Sequence, residues 1–218
     1  MIYVATIVCA VACLVLVGAE YKQAAMLRIV SKCVASAAFI AVGYLAAHED
    51  RSYERHILLG LVLGAVGDVA LLGRSNRAFM AGLVAFLLGH LAYVIACIHT
   101  VDPHETLGLA GLYAVAPAIV GLGALAYLWP RLGKMRVPVI LYVAVIISMV
   151  VAAIAVGRSE TLPLHARERL VIGAVLFFIS DLAVARDKFV AKGFSNRAWG
   201  LPTYYAGQLF IAWSLASS

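Results

Sequence analysis

The chain has 218 residues, of which 64% are hydrophobic and only 13% charged. Soluble domains are about 45–50% apolar and about 25% charged, so a mean hydropathy of +0.99 excludes an ordinary water-soluble protein. The net charge of +6 could suit nucleic acid, but the basic residues sit in short loops between apolar runs, where they set topology and meet anionic headgroups.

Apolar runs of ~20 residues cross a bilayer as helices, and this chain is little more than such runs. Residues 57–72 are apolar on every face but for one acid, unlike the strict alternation over ~10 residues of a barrel strand. Eight spans are predicted, at roughly 2–18, 25–47, 55–73, 77–99, 106–129, 135–157, 166–185 and 197–216. The fold class is therefore all-α: one polytopic transmembrane domain over residues 1–218. The first run, Ile2–Val17, lacks the basic leader of a signal peptide and reads as span one. Cys9, Cys13, Cys33 and Cys97 lie in apolar stretches without a CxxC pair and read as small buried hydrophobes; no metal or cofactor is indicated. Asp102-Pro103 separates spans four and five, and Trp129-Pro130-Arg131 closes span five. Pro117 and Pro202 are candidate kinks, tolerated where neighbouring helices satisfy the freed carbonyls.

Loop charge sets the orientation. The odd-numbered loops hold Lys22, Arg28, Arg74, Arg77, Arg131, Lys134, Arg136, Arg186, Lys188, Lys192 and Arg197, with Lys32 just inside span two. The even-numbered loops hold Arg51, Arg55, Arg158, Arg167 and Arg169. Twelve against five places the odd loops in the cytoplasm and both termini outside, as in a multi-pass protein of a bacterial inner membrane.

Ser75-Asn76-Arg77-Ala78 returns as Ser195-Asn196-Arg197-Ala198. Each copy opens a span and follows a span with one acid, Asp68 or Asp181; further on, Gly89-His90 is echoed by Gly207-Gln208. An offset of four helices keeps the direction of travel, so the pattern reads as a parallel 4+4 repeat. It predicts Asp68 and Asp181 at similar depth, on the order of 8 Å inside the cytoplasmic helix ends at ~1.5 Å per residue.

A charge in mid-bilayer costs ~2.5–3.5 kcal/mol on insertion scales, so an intramembrane acid is a functional candidate. With Asp68 and Asp181 go other polar groups at similar levels: Lys32, His90, Tyr93, Tyr142, Tyr204, Tyr205 and Gln208. Lys32 alone would snorkel to the interface. At its depth it also reaches either acid or a lipid phosphate. Asn76, Arg77, Asn196 and Arg197 read as interfacial caps, with phosphate contact as a second role. A proton-coupled transporter or lipid flippase would want the same two carboxyls, and an assembly subunit could use them for pairing.

Four segments, Gly60–Leu72, Phe79–Tyr93, Gly173–Asp181 and Tyr204–Gln208, resemble the YhhN-like lysoplasmalogenases, eight-helix membrane hydrolases. That family has a Gly-Asp on span three and Phe, Gly, Phe, His and Tyr in order on span four. Span seven carries Ser-Asp and span eight Tyr-Tyr and Gln. Lys32 falls where the family has Lys-Pro, with Cys33 here in place of the proline. The resemblance implies hydrolysis of the vinyl ether of a lysoplasmalogen drawn from the membrane. Such a reaction needs a protonated acid to deliver a proton to the alkene carbon and an anion to stabilise the oxocarbenium ion, as paired carboxylates do in glycosidases. Asp68 and Asp181 would form that pair. Lys32, with Arg77 or Arg197, would meet the phosphate, and His90, Tyr93, Tyr142, Tyr204, Tyr205 and Gln208 would line the substrate site. Another acid-labile ether or an epoxide would suit the same two acids.

Overall fold

The computed structural model describes residues 1–47, 52–73 and 75–216; His48, Arg51 and Arg74 lie outside the described residues. Within them the chain is all helical: α1 (Ile2–Tyr21), α2 (Ala25–Ala46), α3 (Ser52–Ala70), α4 (Asn76–Ile98), α5 (Pro103–Ala110), α6 (Val115–Leu128), α7 (Arg136–Arg158), α8 (Leu164–Phe189) and α9 (Phe194–Trp213). Five segments are long and apolar enough to cross a membrane: α1, α2, α4, the α5–α6 segment and α7. The other three helices, α3, α8 and α9, are of comparable length, 19, 26 and 20 residues. They fall short in apolarity because charged residues near their ends, such as Glu54, Arg169 and Arg186, add to interior polar side chains such as Asp68, Asp181 and Gln208.

Outward faces are apolar. Tyr3, Leu14, Leu112, Ile119 and Leu141 are all more than half exposed, a distribution that suits lipid rather than water. Lipid chains give helices no hydrophobic reason to associate, so close approach at small residues holds such bundles together. Two crossings show it. In α8 and α9, a Cβ on Gly173 would stand 2.8 Å from the Gly207 carbonyl oxygen, and one on Gly207 would stand 3.0 Å from that of Gly173. In α3 and α4, a Cβ on Gly89 would stand 3.3 Å from the Gly60 carbonyl oxygen. The two hairpins thus cross at glycines in matching places, ahead of Asp68 and Asp181 on one side and next to His90 and Gln208 on the other.

α1 and α2 form a third hairpin, α2 lies against both α3 and α9, and α7 bridges α4 and α8 while carrying α5 and α6 on its outer side. Asp68 stands two residues before α3 ends at Ala70, whereas α8 runs on beyond Asp181 to Phe189, past the predicted end at 185. Span five differs from expectation. Its break is at Gly111, with φ +54, followed by a short 3-10 turn, and Pro117 falls in the first turn of α6, where a missing N–H costs nothing. Pro202 sits inside a continuous α9. The two SNRA copies also differ: Ser75 caps α4 by accepting from the Ala78 N–H at 3.0 Å, while Ser195-Asn196-Arg197 lies inside the first turn of α9, after Gly193. Cys9, Cys13 and Cys97 are buried; Cys33 is exposed on the outside of α2, against the expectation that all four are buried.

Candidate active site

Lys32 and Ser36 are one turn apart on α2 and therefore share a face, which α2 turns towards the end of α3. The Lys32 ammonium donates to Asp68 Oδ1 at 2.7 Å, and the Ser36 hydroxyl donates to Asp68 Oδ2 at 2.7 Å. The Tyr205 hydroxyl stands 3.5 Å from the same Oδ2, at the outer limit of a hydrogen bond. Asp68 is 2% exposed, and a buried charge is tolerated only when paired and hydrogen-bonded. Here each carboxylate oxygen has a donor.

Asp181, on α8, is held differently. The Tyr142 hydroxyl, from α7, donates to its Oδ2 at 2.9 Å, and His90 Nε2, from α4, is 3.7 Å away. Among the described residues no Lys or Arg lies within salt-bridge distance. His90 is fully buried, and neither ring nitrogen has a hydrogen-bond partner. Its ring is fixed edge-on by Phe177, with centroids 4.5 Å apart, and by Tyr142 at 5.3 Å.

α9 connects the two acids. Tyr204 meets Tyr205 at 4.9 Å and Phe177 at 5.2 Å between ring centroids, so one aromatic chain runs from the Asp68 side to His90. Behind it, the Tyr93 hydroxyl donates to Gln208 Oε1 at 2.7 Å and Gln208 Nε2 donates to the Tyr204 hydroxyl at 3.3 Å. Gln208 and Tyr93 fit because α3 has glycine at Gly64 and Gly60 opposite them. All nine residues singled out in the sequence, Asp68, Asp181, Lys32, His90, Tyr93, Tyr142, Tyr204, Tyr205 and Gln208, fall in this one connected group.

A cavity of about 700 Å³ opens over it at the end of the bundle where the odd-numbered loops gather. Lys32, Asp68, Asp181 and Tyr204 line its inner part; Arg28, Lys188, Lys192 and Arg197 line its outer part, with Glu20 and Asp187. Arg197 bridges Glu20 at 2.5 Å and Asp187 at 3.6 Å, tying α1 to α8 and α9. Asn196 is buried beside them, donating to Asp187 Oδ1 at 3.1 Å and to the Ala191 carbonyl at 2.6 Å while accepting from Arg186. Asn196 and Arg197 are thus structural partners within the loop rather than simple caps.

A second, narrower groove of about 80 Å³ reaches Asp181 among apolar side chains. Leu83, Leu128, Val139 and Phe178 are among those lining it, together with Tyr142. Asp181 lines both spaces.

Sequence reasoning missed Ser36, Arg28, Phe177 and the Glu20–Arg197–Asp187 bridge. For Ser36 a signal existed: a hydroxyl four residues after Lys32 shares its helix face. The others depend on which helices become neighbours, and no local pattern shows that.

Helices of membrane-spanning length around a polar, carboxylate-floored cavity define a multi-pass membrane protein with a polar chamber at one end of its bundle. The YhhN family profile matches residues 27–215, and the chain belongs to that family. It is similar to lysoplasmalogenase TMEM86A of Bos taurus, 34% identical over 183 residues that cover 81% of this chain and 70% of the relative. A lysoplasmalogenase of Mycobacterium tuberculosis (strain CDC 1551 / Oshkosh) is 30% identical over 200 residues, covering 89% of this chain and 72% of the relative. Human lysoplasmalogenase TMEM86A is 34% identical over 180 residues, 81% of this chain and 70% of the relative. No solved structure matches the chain significantly.

Proposed function

We propose that the protein is a lysoplasmalogenase, cleaving the vinyl ether of a lysoplasmalogen to a fatty aldehyde and a glycerophospho-choline or -ethanolamine. The observation that carries this reading is the position of Asp181 between the polar cavity and the apolar groove. In a lysoplasmalogen the vinyl ether is the junction of the polar glycerophospho part and the hydrocarbon tail. A lipid with its headgroup in the cavity and its tail in the groove presents that bond to Asp181. The relatives' names support the same substrate class.

Asp181, with no cation beside it among the described residues, serves as the general acid. It delivers a proton to the outer alkene carbon while the Tyr142 hydroxyl holds the carboxyl in place, and the carbon next to the ether oxygen becomes an oxocarbenium ion. Asp68, paired with the Lys32 ammonium and hydrogen-bonded by Ser36, faces the positive charge and takes a proton from the water that adds there. The hemiacetal then collapses: its hydroxyl proton moves to the departing glycerol oxygen, the carbon–oxygen bond breaks, and aldehyde is released. Cavity water returns the extra proton from Asp68 to Asp181. The apolar groove favours a substrate with a tail, because on that side the acid is flanked by hydrocarbon rather than by polar groups.

The same reading takes α3, α8 and α9 as spans, giving eight in all, and puts the cavity at the cytoplasmic face of a bacterial inner membrane. The matching glycine crossings support a parallel 4+4 repeat with one acid per half. The deciding experiment is an assay of purified protein on alkenyl, alkyl and acyl lysophospholipids side by side. Aldehyde from the alkenyl lipid alone is the expected result; no aldehyde, or equal release from acyl lipid, overturns the reading.

A further inference from the structure

Five basic side chains line the polar cavity: Arg28, Lys32, Lys188, Lys192 and Arg197. Their partners sort them. Lys32 holds Asp68 at 2.7 Å, and Arg197 holds Glu20 at 2.5 Å and Asp187 at 3.6 Å. Arg77, a phosphate candidate from the sequence, is exposed and not among the residues lining the cavity. Lys188 has only neutral company, donating to Asn76 Oδ1 at 2.9 Å with its ammonium 4.3 Å from the centre of the Phe79 ring. Arg28 has less. Its Nε is buried and without a hydrogen-bond partner, and among the described residues neither Arg28 nor Lys192 has a carboxylate within salt-bridge distance.

Once Lys32–Asp68 and the Glu20–Arg197–Asp187 bridge are set aside, Arg28, Lys188 and Lys192 remain in the outer cavity with no carboxylate within salt-bridge distance among the described residues, three positive charges against the single surplus negative charge of that bridge. A desolvated guanidinium nitrogen with no acceptor is costly unless something supplies one. We propose that Arg28 is the anchor of a phosphate subsite, with Lys188 and Lys192 as flanking charges, and that it takes the phosphodiester of the lipid headgroup. This rests on the lysophospholipid reading above.

Three features fit that ligand. The planar guanidinium matches two phosphate oxygens at once, which an ammonium cannot do. Arg28 lies one helical turn outward from Lys32 on the same face of α2, about 5.4–6 Å along the axis. A glycerol unit bridges a gap of that order between a phosphate at Arg28 and an ether oxygen near the two acids. Finally, the assignment frees Lys32 from two incompatible duties, because an ammonium paired with Asp68 cannot also neutralise the substrate.

The test compares Arg28→Gln and Arg28→Lys with the wild type on two substrates, an alkenyl lysophosphocholine and the matching alkenylglycerol, which has no phosphate. Arg28→Gln should raise KM for the lysophosphocholine by about tenfold or more with kcat nearly unchanged, as expected for losing a charge-assisted contact made equally in ground and transition states. It should leave alkenylglycerol turnover as in the wild type, and Arg28→Lys should fall between. An unchanged KM for the lysophosphocholine, or an equal loss on both substrates, overturns the proposal. Equilibrium dialysis with a non-cleavable alkyl lysophosphocholine and alkylglycerol keeps the subsite testable should the protein cleave neither substrate. Arg28→Gln must weaken the phosphate-bearing lipid alone, and identical binding by both proteins sinks the subsite whatever the hydrolase assay shows.

Discussion

Asp68 and Asp181 face one cavity in opposite electrostatic company: Asp68 Oδ1 accepts from the Lys32 ammonium at 2.7 Å, whereas Asp181 Oδ2 meets the uncharged Tyr142 hydroxyl at 2.9 Å. Two like residues thereby sit in unlike environments, the arrangement by which paired carboxyls divide acid and base roles elsewhere.

Replacing either acid by its amide keeps shape and removes proton transfer. Asp68→Asn and Asp181→Asn should each lower turnover by about a hundredfold or more, with the purified protein still eluting from detergent as a single folded species. Near-normal rates in either variant would remove that residue from the chemistry.

The Lys32–Asp68 pair predicts a specific non-additivity. Lys32→Met alone strands a buried carboxylate and should destabilise by ~3–5 kcal/mol, seen as a lower unfolding midpoint in detergent. Adding Asp68→Asn should recover most of that midpoint, since the uncompensated charge is gone, and recover none of the activity. If the double variant unfolds as early as Lys32→Met, the two side chains are not coupled.

Tyr142→Phe deletes the one hydroxyl that donates to Asp181 and leaves the ring against His90. Its expected cost is ~1 kcal/mol in stability and a clear drop in kcat with KM little changed, because Tyr142 positions the acid rather than the lipid. A KM effect alone would show that Tyr142 acts through the groove it lines and not through Asp181.

Hydrolysis in heavy water distinguishes protonation at carbon from direct displacement at the ether. The aldehyde should carry one deuterium on the carbon next to the carbonyl, as the former outer alkene carbon. Aldehyde without that label rules out proton delivery by either aspartate to the alkene.

At the α8–α9 crossing, Gly173→Ala should destabilise by ~1–3 kcal/mol, because its methyl would meet the Gly207 carbonyl. Gly18→Ala in α1 is the control, with nothing within 4 Å of the added methyl; equal midpoints for the two variants would contradict the close approach.

Much of this was legible in the sequence, for physical reasons. An acid in an apolar run is costly enough that Asp68 and Asp181 stand out at once. His90 beside Gly89 and Gln208 beside Gly207 were readable because the glycine and the polar residue lie on adjacent faces, one for close approach and one for bonding. Partner choice was not readable. Lys32 could have reached a phosphate or either acid along its own helix, and only the neighbouring α3 decides for Asp68. Likewise Arg197, marked by the SNRA echo, is taken up by Glu20 from the far end of the sequence, while unmarked Arg28 keeps its charge open. The break at Gly111 carries no local mark beyond a glycine, whereas Pro117, in a first helical turn, distorts nothing.

The two spaces that meet at Asp181 also suit the departure of the products of the proposed hydrolysis. One of them would be an oily aldehyde and the other a water-loving phosphodiester, and each would already lie on the side where it is soluble. The aldehyde can slide out sideways between helices into the bilayer while the headgroup fragment diffuses away through the charged mouth. Release then needs no lid, and back-reaction is discouraged because the two halves separate into different phases.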